Sequence, residues 1–383
     1  MERDELAAWL RLTLAPGFGN IAARKLLAAF GLPQALFAQS LEALSQLLSP
    51  TQAKALLAEP PALAGLLEAT WQWLQEDPAQ RRILTLADAG YPQALLDTED
   101  PPLMLYVMGQ PFRQWPRSIS IVGSRNPTPQ GVTNARDFAR SFAQAGFTVV
   151  SGMALGIDAA AHEGALDVDA PGRIATIAVV GTGLDRVYPK RNLELAHRIV
   201  ARGLIISEYP IGTPPLSPNF PKRNRIISAL GQGTVVVEAA LQSGSLITAR
   251  QANEQGKDVF AIPGSIHSAQ SRGCHSLIKQ GAKLVETAQD VLEELSVPGS
   301  TRVRPAECTD DEGAEAGQEA TQEDAPPQDS LLAALGFDPV SLDAIVARTG
   351  IAPSTLQARL LELELGGEVS RLPGGLFQRI GAA

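Results

Sequence analysis

The chain has 383 residues, with 32 Lys and Arg against 41 Asp and Glu, a formal net charge of −9. Its two cysteines, Cys274 and Cys308, are too few for a disulfide framework or a cysteine-rich metal centre, and they fit a reducing cytoplasm. The acidic opening Met1-Glu2-Arg3-Asp4-Glu5 is not a signal peptide, and no apolar run approaches the roughly 18 residues of a membrane-spanning helix.

Residues 1–80 read as all-helical. Leu6, Leu10 and Leu14 repeat at helical spacing, the turn Pro16-Gly17-Phe18-Gly19 follows, and Ile21–Leu27 resumes the helix. Ser49, ahead of Pro50, suits an N-cap. This helix, glycine turn, helix pattern suggests a SAM-like or helix-hairpin-helix-like unit. Few cations surround the turn (Arg24, Lys25 and Lys54), so packing suits it better than a phosphate contact. Residues 81–116 are a connecting segment broken at Tyr91-Pro92 and Pro101-Pro102, with a short strand at Leu103–Val107.

From Arg117 to Leu295 short apolar strands alternate with helices. The strands are expected at Ile119–Val122, Phe147–Val150, Ile174–Val180, Leu204–Ile206, Thr234–Val237 and Val259–Ile262. The helices are expected at Val132–Ala145, Ala159–Leu166, Asn192–Ala201, Asn224–Leu230, Leu246–Gln255 and Cys274–Gln280. Near-continuous β-branched runs bounded by glycine indicate an α/β, Rossmann-like, mostly parallel sheet with both faces covered. Ligands of such sheets sit at the carboxyl ends of the strands.

Residues 296–329 form an acidic linker. Pro298–Gln328 holds eight Asp and Glu against two Arg, with almost no large apolar side chain, so it is expected to be disordered. By contrast, Arg117–Leu295 holds 18 Lys and Arg against 15 Asp and Glu, so the core can present a basic patch to an anion. Residues 330–383 read as helix, helix and a glycine-turned hairpin, a winged-helix domain. Its recognition helix, Pro353–Leu365, sets Arg359 against Glu362 and Glu364, a poor charge for a DNA groove.

The segments that follow the strands carry the chemistry. Gly123-Ser124-Arg125 offers close backbone approach, a hydroxyl and a cation. Ser151–Asp158 contains Gly152 and leads to His162; capping and core hydrogen bonding are the expected roles of Asp158 and His162. Tyr188-Pro189-Lys190-Arg191 sets two cations beside an aromatic. Phe220-Pro221-Lys222-Arg223-Asn224-Arg225 joins a stacking face to three more in a strand-to-helix loop. Ser243-Gly244-Ser245 starts a helix whose amides suit an anion. Gly-x-Gly-x-x-Gly and Walker A patterns are absent. No catalytic constellation, metal site or cofactor site is expected. Several anion-binding loops on one edge suit a polyanion tracked along a groove.

In their order and spacing these residues resemble the DNA-processing protein A (DprA/Smf) family over about Tyr91–Ala282. The matching motifs are Val122-Gly123-Ser124-Arg125, Ser151–Asp158 with His162, Gly183-Leu184-Asp185 with Tyr188-Pro189, Phe220–Ile227, and Ser243–Ala249 with Pro263-Gly264. His275 departs from the family, whose members often carry Asn there. The resemblance implies a bacterial cytoplasmic protein that binds single-stranded DNA, dimerises through the Rossmann-like domain and loads the RecA recombinase during natural transformation. It also implies that Arg125 and Lys190 contact DNA. Chemistry alone adds Lys222, Arg223 and Arg225, although Arg225 could instead pair with a buried acid such as Glu238. An alternative is an enzyme: Gly231–Glu238 resembles a loop of nucleoside-monophosphate phosphoribohydrolases, in which Glu238 would be the catalytic carboxylate.

Overall fold

A computed structural model describes residues 1–296, 330–336, 339–372 and 374–379. Apart from residue 296, the acidic linker expected over 296–329 lies outside them. Counted over the described residues, nine strands form one sheet and three form a second.

Helices at Arg3–Thr13, Asn20–Phe30, Pro33–Phe37, Leu41–Leu44, Pro50–Leu57 and Leu63–Glu76 make up the first 76 residues. Ser49 caps the fifth of them through a full capping box, its hydroxyl accepting from Gln52 N while Gln52 Oε1 accepts from Ser49 N. These helices share a core with the sheet: Leu6, Trp9 and Leu10 belong to one buried cluster with Tyr106, Ala178 and Ile205. Arg24, beside the Gly17–Gly19 turn, donates to Leu96 O and Thr98 O, so its guanidinium ties the helices to the following segment.

The main sheet contains β1 (Arg81–Thr85), β2 (Met104–Gly109), β3 (Ser118–Val122), β4 (Thr148–Ser151), β5 (Thr176–Val179), β6 (Leu204–Ser207), β7 (Gly233–Val236), β8 (Asp258–Ala261) and β9 (Lys283–Leu284). Their order is β1-β2-β6-β5-β4-β3-β7-β8-β9. β3 to β9 are parallel, whereas β1 and β2 extend the sheet antiparallel beyond β6. The segment expected to connect two domains thus supplies two strands of the main sheet. The sequence reading missed β1, which begins Arg81-Arg82, and β9, which has only two residues.

Alternation along the strands builds two cores, one on each face. Ile119, Ile121, Val149 and Val235 pack against Phe138 and Phe142 of the helix Pro129–Gln144. Val122, Val150, Val179 and Val236 pack against Ile226, Ile227 and Ala249. The chain runs outward from β3 through β4 and β5 to β6, then returns to place β7 on the other side of β3. Crossovers therefore diverge between the carboxyl ends of β3 and β7, which opens a crevice there.

The second sheet, β10 (Val340–Ser341), β11 (Val369–Leu372) and β12 (Leu376–Arg379), has the order β10-β12-β11. It packs with helices at Ser330–Leu335, Leu342–Thr349 and Pro353–Leu365 through a core that includes Leu332, Ile345, Leu356, Leu360 and Phe377. This is the expected winged-helix arrangement.

Candidate nucleic-acid interface

The crevice between β3 and β7 is a cavity of about 430 Å³. Its walls come from the loop after β3, the loop after β4, the helix Asn219–Leu230, the loop after β7 with the N-terminus of the helix Gly244–Glu254, and Gln270 beyond β8. Of the residues singled out from sequence, it gathers Gly123, Ser124, Arg125, Phe220, Arg223, Asn224, Ser243, Gly244 and Ser245. Gly152, Lys190, Arg191, Lys222 and Arg225 do not line it.

Close approach explains the glycines. A Cβ on Gly123 would lie 2.7 Å from Ile157 Cγ1 and 3.0 Å from Glu238 O. Gly152 lies beneath the cavity, where a Cβ would fall 2.3 Å from both Arg223 Nη2 and Asp158 Oδ2. The loop that holds Gly152 is fixed by His162, whose Nε2 donates to Gly152 O at 2.6 Å while Nδ1 meets Thr176 Oγ1 at 2.7 Å. Burial pushes the imidazole down to about 4, so it is neutral at pH 7. His162 is thus an interior group, whereas Asp158, which accepts from Ala154 N at 3.2 Å, also lines the cavity.

The basic run 220–225 lies in the first turns of its helix rather than in a loop. Pro221 is tolerated there because early helical N–H groups have no partner within the helix. The helix sends its cations in different directions. Lys222 is exposed. Arg223 is only 6% exposed: it donates to Val179 O, and its Nη2 lies 3.9 Å from Asp158 Oδ2. Burial is the largest cost on that guanidinium; Asp158 offsets it, and Arg125 adds repulsion. Burial likewise pushes the Asp158 carboxyl up, while Arg223 and the Ala154 amide draw it back.

Arg225 turns away from the cavity. Its nitrogens meet Glu208 at 2.6 and 2.9 Å and Asp100 at 3.0 Å. The buried ion pair considered for it therefore exists, with these acids in place of Glu238. Arg225, expected from its chemistry as a DNA contact, has four of its N–H donors engaged within the fold and a side chain only 12% exposed.

Phe220, on the lining, has an aromatic neighbour. Tyr188 and Phe220 have ring centroids 5.6 Å apart, tilted by 32°, and Tyr188 is 48% exposed. Lys190 and Arg191 follow Tyr188 in an exposed 3-10 turn. On the β7 side Ser243 caps the helix Gly244–Glu254, its Oγ accepting from Ser245 N. Sequence reasoning missed Asn126 and Gln270, which also line the cavity and are joined by a 3.1 Å hydrogen bond from Gln270 Nε2 to Asn126 O. Gln270 lies beyond β8, and no motif marks it.

Glu238 lies outside this cavity. Its carboxylate accepts from Thr128 N at 2.9 Å and from Thr128 Oγ1 at 2.6 Å, at the start of the helix Pro129–Gln144. The Cys274 thiol is buried and pushed up to about 12, so it is no nucleophile. Among the described residues, no three His, Cys, Asp or Glu side chains cluster to hold a metal ion, and no helix is long and apolar enough to cross a membrane.

Residues 82–296 match the family model of DNA recombination-mediator protein A. The chain belongs to the DNA-processing protein A (DprA/Smf) family. Residues 315–375 match the DprA winged helix domain. Protein Smf of Escherichia coli is 39% identical over 318 residues, which cover 81% of this chain and 80% of that protein. DNA processing protein DprA of Streptococcus pneumoniae is 45% identical over 212 residues, 55% of this chain and 73% of that one. An X-ray structure of the Streptococcus pneumoniae protein aligns with a TM-score of 0.61 at 34% identity, covering 75% of this chain and 97% of that chain.

Proposed function

We propose that this DprA/Smf family member is a non-enzymatic mediator that binds single-stranded DNA in the crevice between β3 and β7 and delivers it to the RecA recombinase during natural transformation. The observation that carries the reading is the cavity itself: Arg125, Arg223 and a helix N-terminus converge at the point where the strand order reverses. Lys190, Arg191 and Lys222 extend the positive charge around it, and Tyr188 with Phe220 gives unpaired bases a face on which to stack. A duplex keeps its bases stacked inside and gains nothing from that face.

What supports RecA delivery is membership of a family whose model is described as a DNA recombination-mediator protein. The unit we assign to DNA binding is the Rossmann-like sheet with its helices, and self-association is assigned to the same unit. Its sheet ends at β9, an edge of two residues on which Leu284 is 52% exposed. The enzyme reading through Glu238 has less support, because that carboxylate is engaged by Thr128 outside the cavity.

The test is fluorescence anisotropy with single- and double-stranded oligonucleotides over a range of salt. Single strands should bind more tightly, with log affinity falling by roughly 0.7 per neutralised phosphate for each tenfold rise in salt. Equal affinity for the duplex, or indifference to salt, rejects the reading.

A further inference from the structure

We propose that the floor of the cavity receives a nucleotide phosphomonoester, either the phosphorylated end of a strand or a free nucleoside monophosphate. The inference rests on the reading of this crevice as the DNA site and specifies which part of a DNA chain reaches its bottom.

Depth is the first argument. Arg223, Ser124, Ser245 and Asp158 all line the cavity, and each is 8% exposed or less. An internal phosphate carries a sugar on each side, and both would have to enter for it to reach these groups. A terminal phosphate brings one. The volume of about 430 Å³ falls in the roughly 300–1,000 Å³ range of pockets that enclose one small ligand.

Unsatisfied donors are the second argument. Arg223 Nε is buried and finds no acceptor among the described residues. A buried guanidinium with an unpartnered donor is costly, and an anion on the floor would offset that cost through its charge. The helix Gly244–Glu254 has 11 residues and starts at the same cavity; Ser243 already takes the Ser245 and Leu246 N–H groups, which leaves the Gly244 N–H to face a ligand.

Charge is the third. Arg125 and Arg223 outnumber Asp158 on the lining, and the helix N-terminus adds about half a positive charge. A phosphodiester carries one negative charge. A phosphomonoester carries about −1.5 to −2 at neutral pH and presents three acceptor oxygens. The floor matches the second ligand better.

The experiment uses the full chain and a labelled 20-mer of deoxythymidine in four forms: 5′-phosphorylated, 3′-phosphorylated, hydroxyl at both ends, and circular. Thymidine monophosphate, thymidine and inorganic phosphate serve as competitors. We expect one phosphorylated end to tighten binding about tenfold over the hydroxyl-ended strand, and thymidine monophosphate to compete where thymidine does not. Competition without an end preference assigns the floor to free nucleotides. Gly244→Pro removes one amide at the first helical position, where proline fits and where a Cβ meets nothing within 4 Å. It should bring the ratio of phosphorylated to hydroxyl-ended affinity toward one, with an unchanged thermal midpoint. Tight but equal binding of all four strands, without competition by thymidine monophosphate, overturns the inference and leaves the DNA reading standing. A preference that survives Gly244→Pro in full places the phosphate elsewhere. Failure of all four strands to bind rejects the DNA reading itself.

Discussion

Arg225 is clamped by Glu208 through two hydrogen bonds of 2.6 and 2.9 Å, and Asp100 closes on its Nε at 3.0 Å. The relationship splits a basic run of sequence into separate jobs. Glu208 is 7% exposed on its side chain, so removing its partner strands a buried carboxylate. Arg225→Met should destabilise the fold by about 3–5 kcal/mol in urea unfolding. Lys222→Ala should leave stability within about 0.5 kcal/mol and weaken single-strand binding. Matching stability losses for the two variants would contradict this division.

Arg125 is exposed on the rim of the cavity, with no ion pair among the described residues. Arg125→Ala should lower affinity alike for strands of different sequence, because a phosphate contact carries no base information. The salt slope should fall by about 0.7. An unchanged slope alongside unchanged affinity would remove Arg125 from the interface.

Much of this architecture is legible in the sequence, for physical reasons. A strand buried on both faces is dominated by apolar and small side chains, so β3 to β8 stand out as runs rich in β-branched residues. β1 does not, because Arg81 and Arg82 open it, and Arg81 is instead held by the Trp73 carbonyl and Glu76. The order of strands is a long-range property that no local pattern encodes, and it is this order that creates the crevice. The split between Arg223 and Arg225 was accessible in principle. Residues two apart on a helix point about 200° apart, so the two cations could not serve one surface once the helix began at Asn219. Expecting a loop there hid the constraint. Gln270 was out of reach altogether, because only the fold carries it to Asn126.

His162 gives the fold an acid limit. Its imidazole titrates at about 4 in the folded chain against 6.5 for the ordinary group. Between these values the unfolded chain binds a proton that the folded chain refuses, so stability falls as pH drops from about 6.5 to 4 and is unaffected by this group above 6.5. The shift corresponds to about 3 kcal/mol. Urea unfolding at pH 7, 6, 5 and 4.5 should show the decline, and His162→Gln should flatten it. An equal slope in the variant would assign the acid sensitivity to other groups.

Tyr188 and Phe220 separate stacking from charge. Tyr188 is 48% exposed, whereas Phe220 packs against Gly181, where a Cβ would lie 3.1 Å from its ring. Tyr188→Ala should therefore cost little stability. It should cost about 1–3 kcal/mol of single-strand affinity if one base stacks on it. The salt slope should not change, since no cation is lost. A variant that changes the slope would show that Tyr188 acts by positioning Lys190 and Arg191.

The winged-helix residues test whether the Rossmann-like sheet is sufficient for binding. Their helix Pro353–Leu365 exposes Leu361 and Leu365 and carries Glu362 and Glu364. Acidic and apolar surface of this kind is repelled by phosphates and suits a protein contact. The main sheet and its two cores are complete by Ser296. A chain ending at Ser296 should therefore keep single-strand affinity within about threefold of the full chain, a difference below 1 kcal/mol. Loss of nearly all affinity would move the DNA contact to the winged helix and leave the crevice between β3 and β7 in need of another ligand.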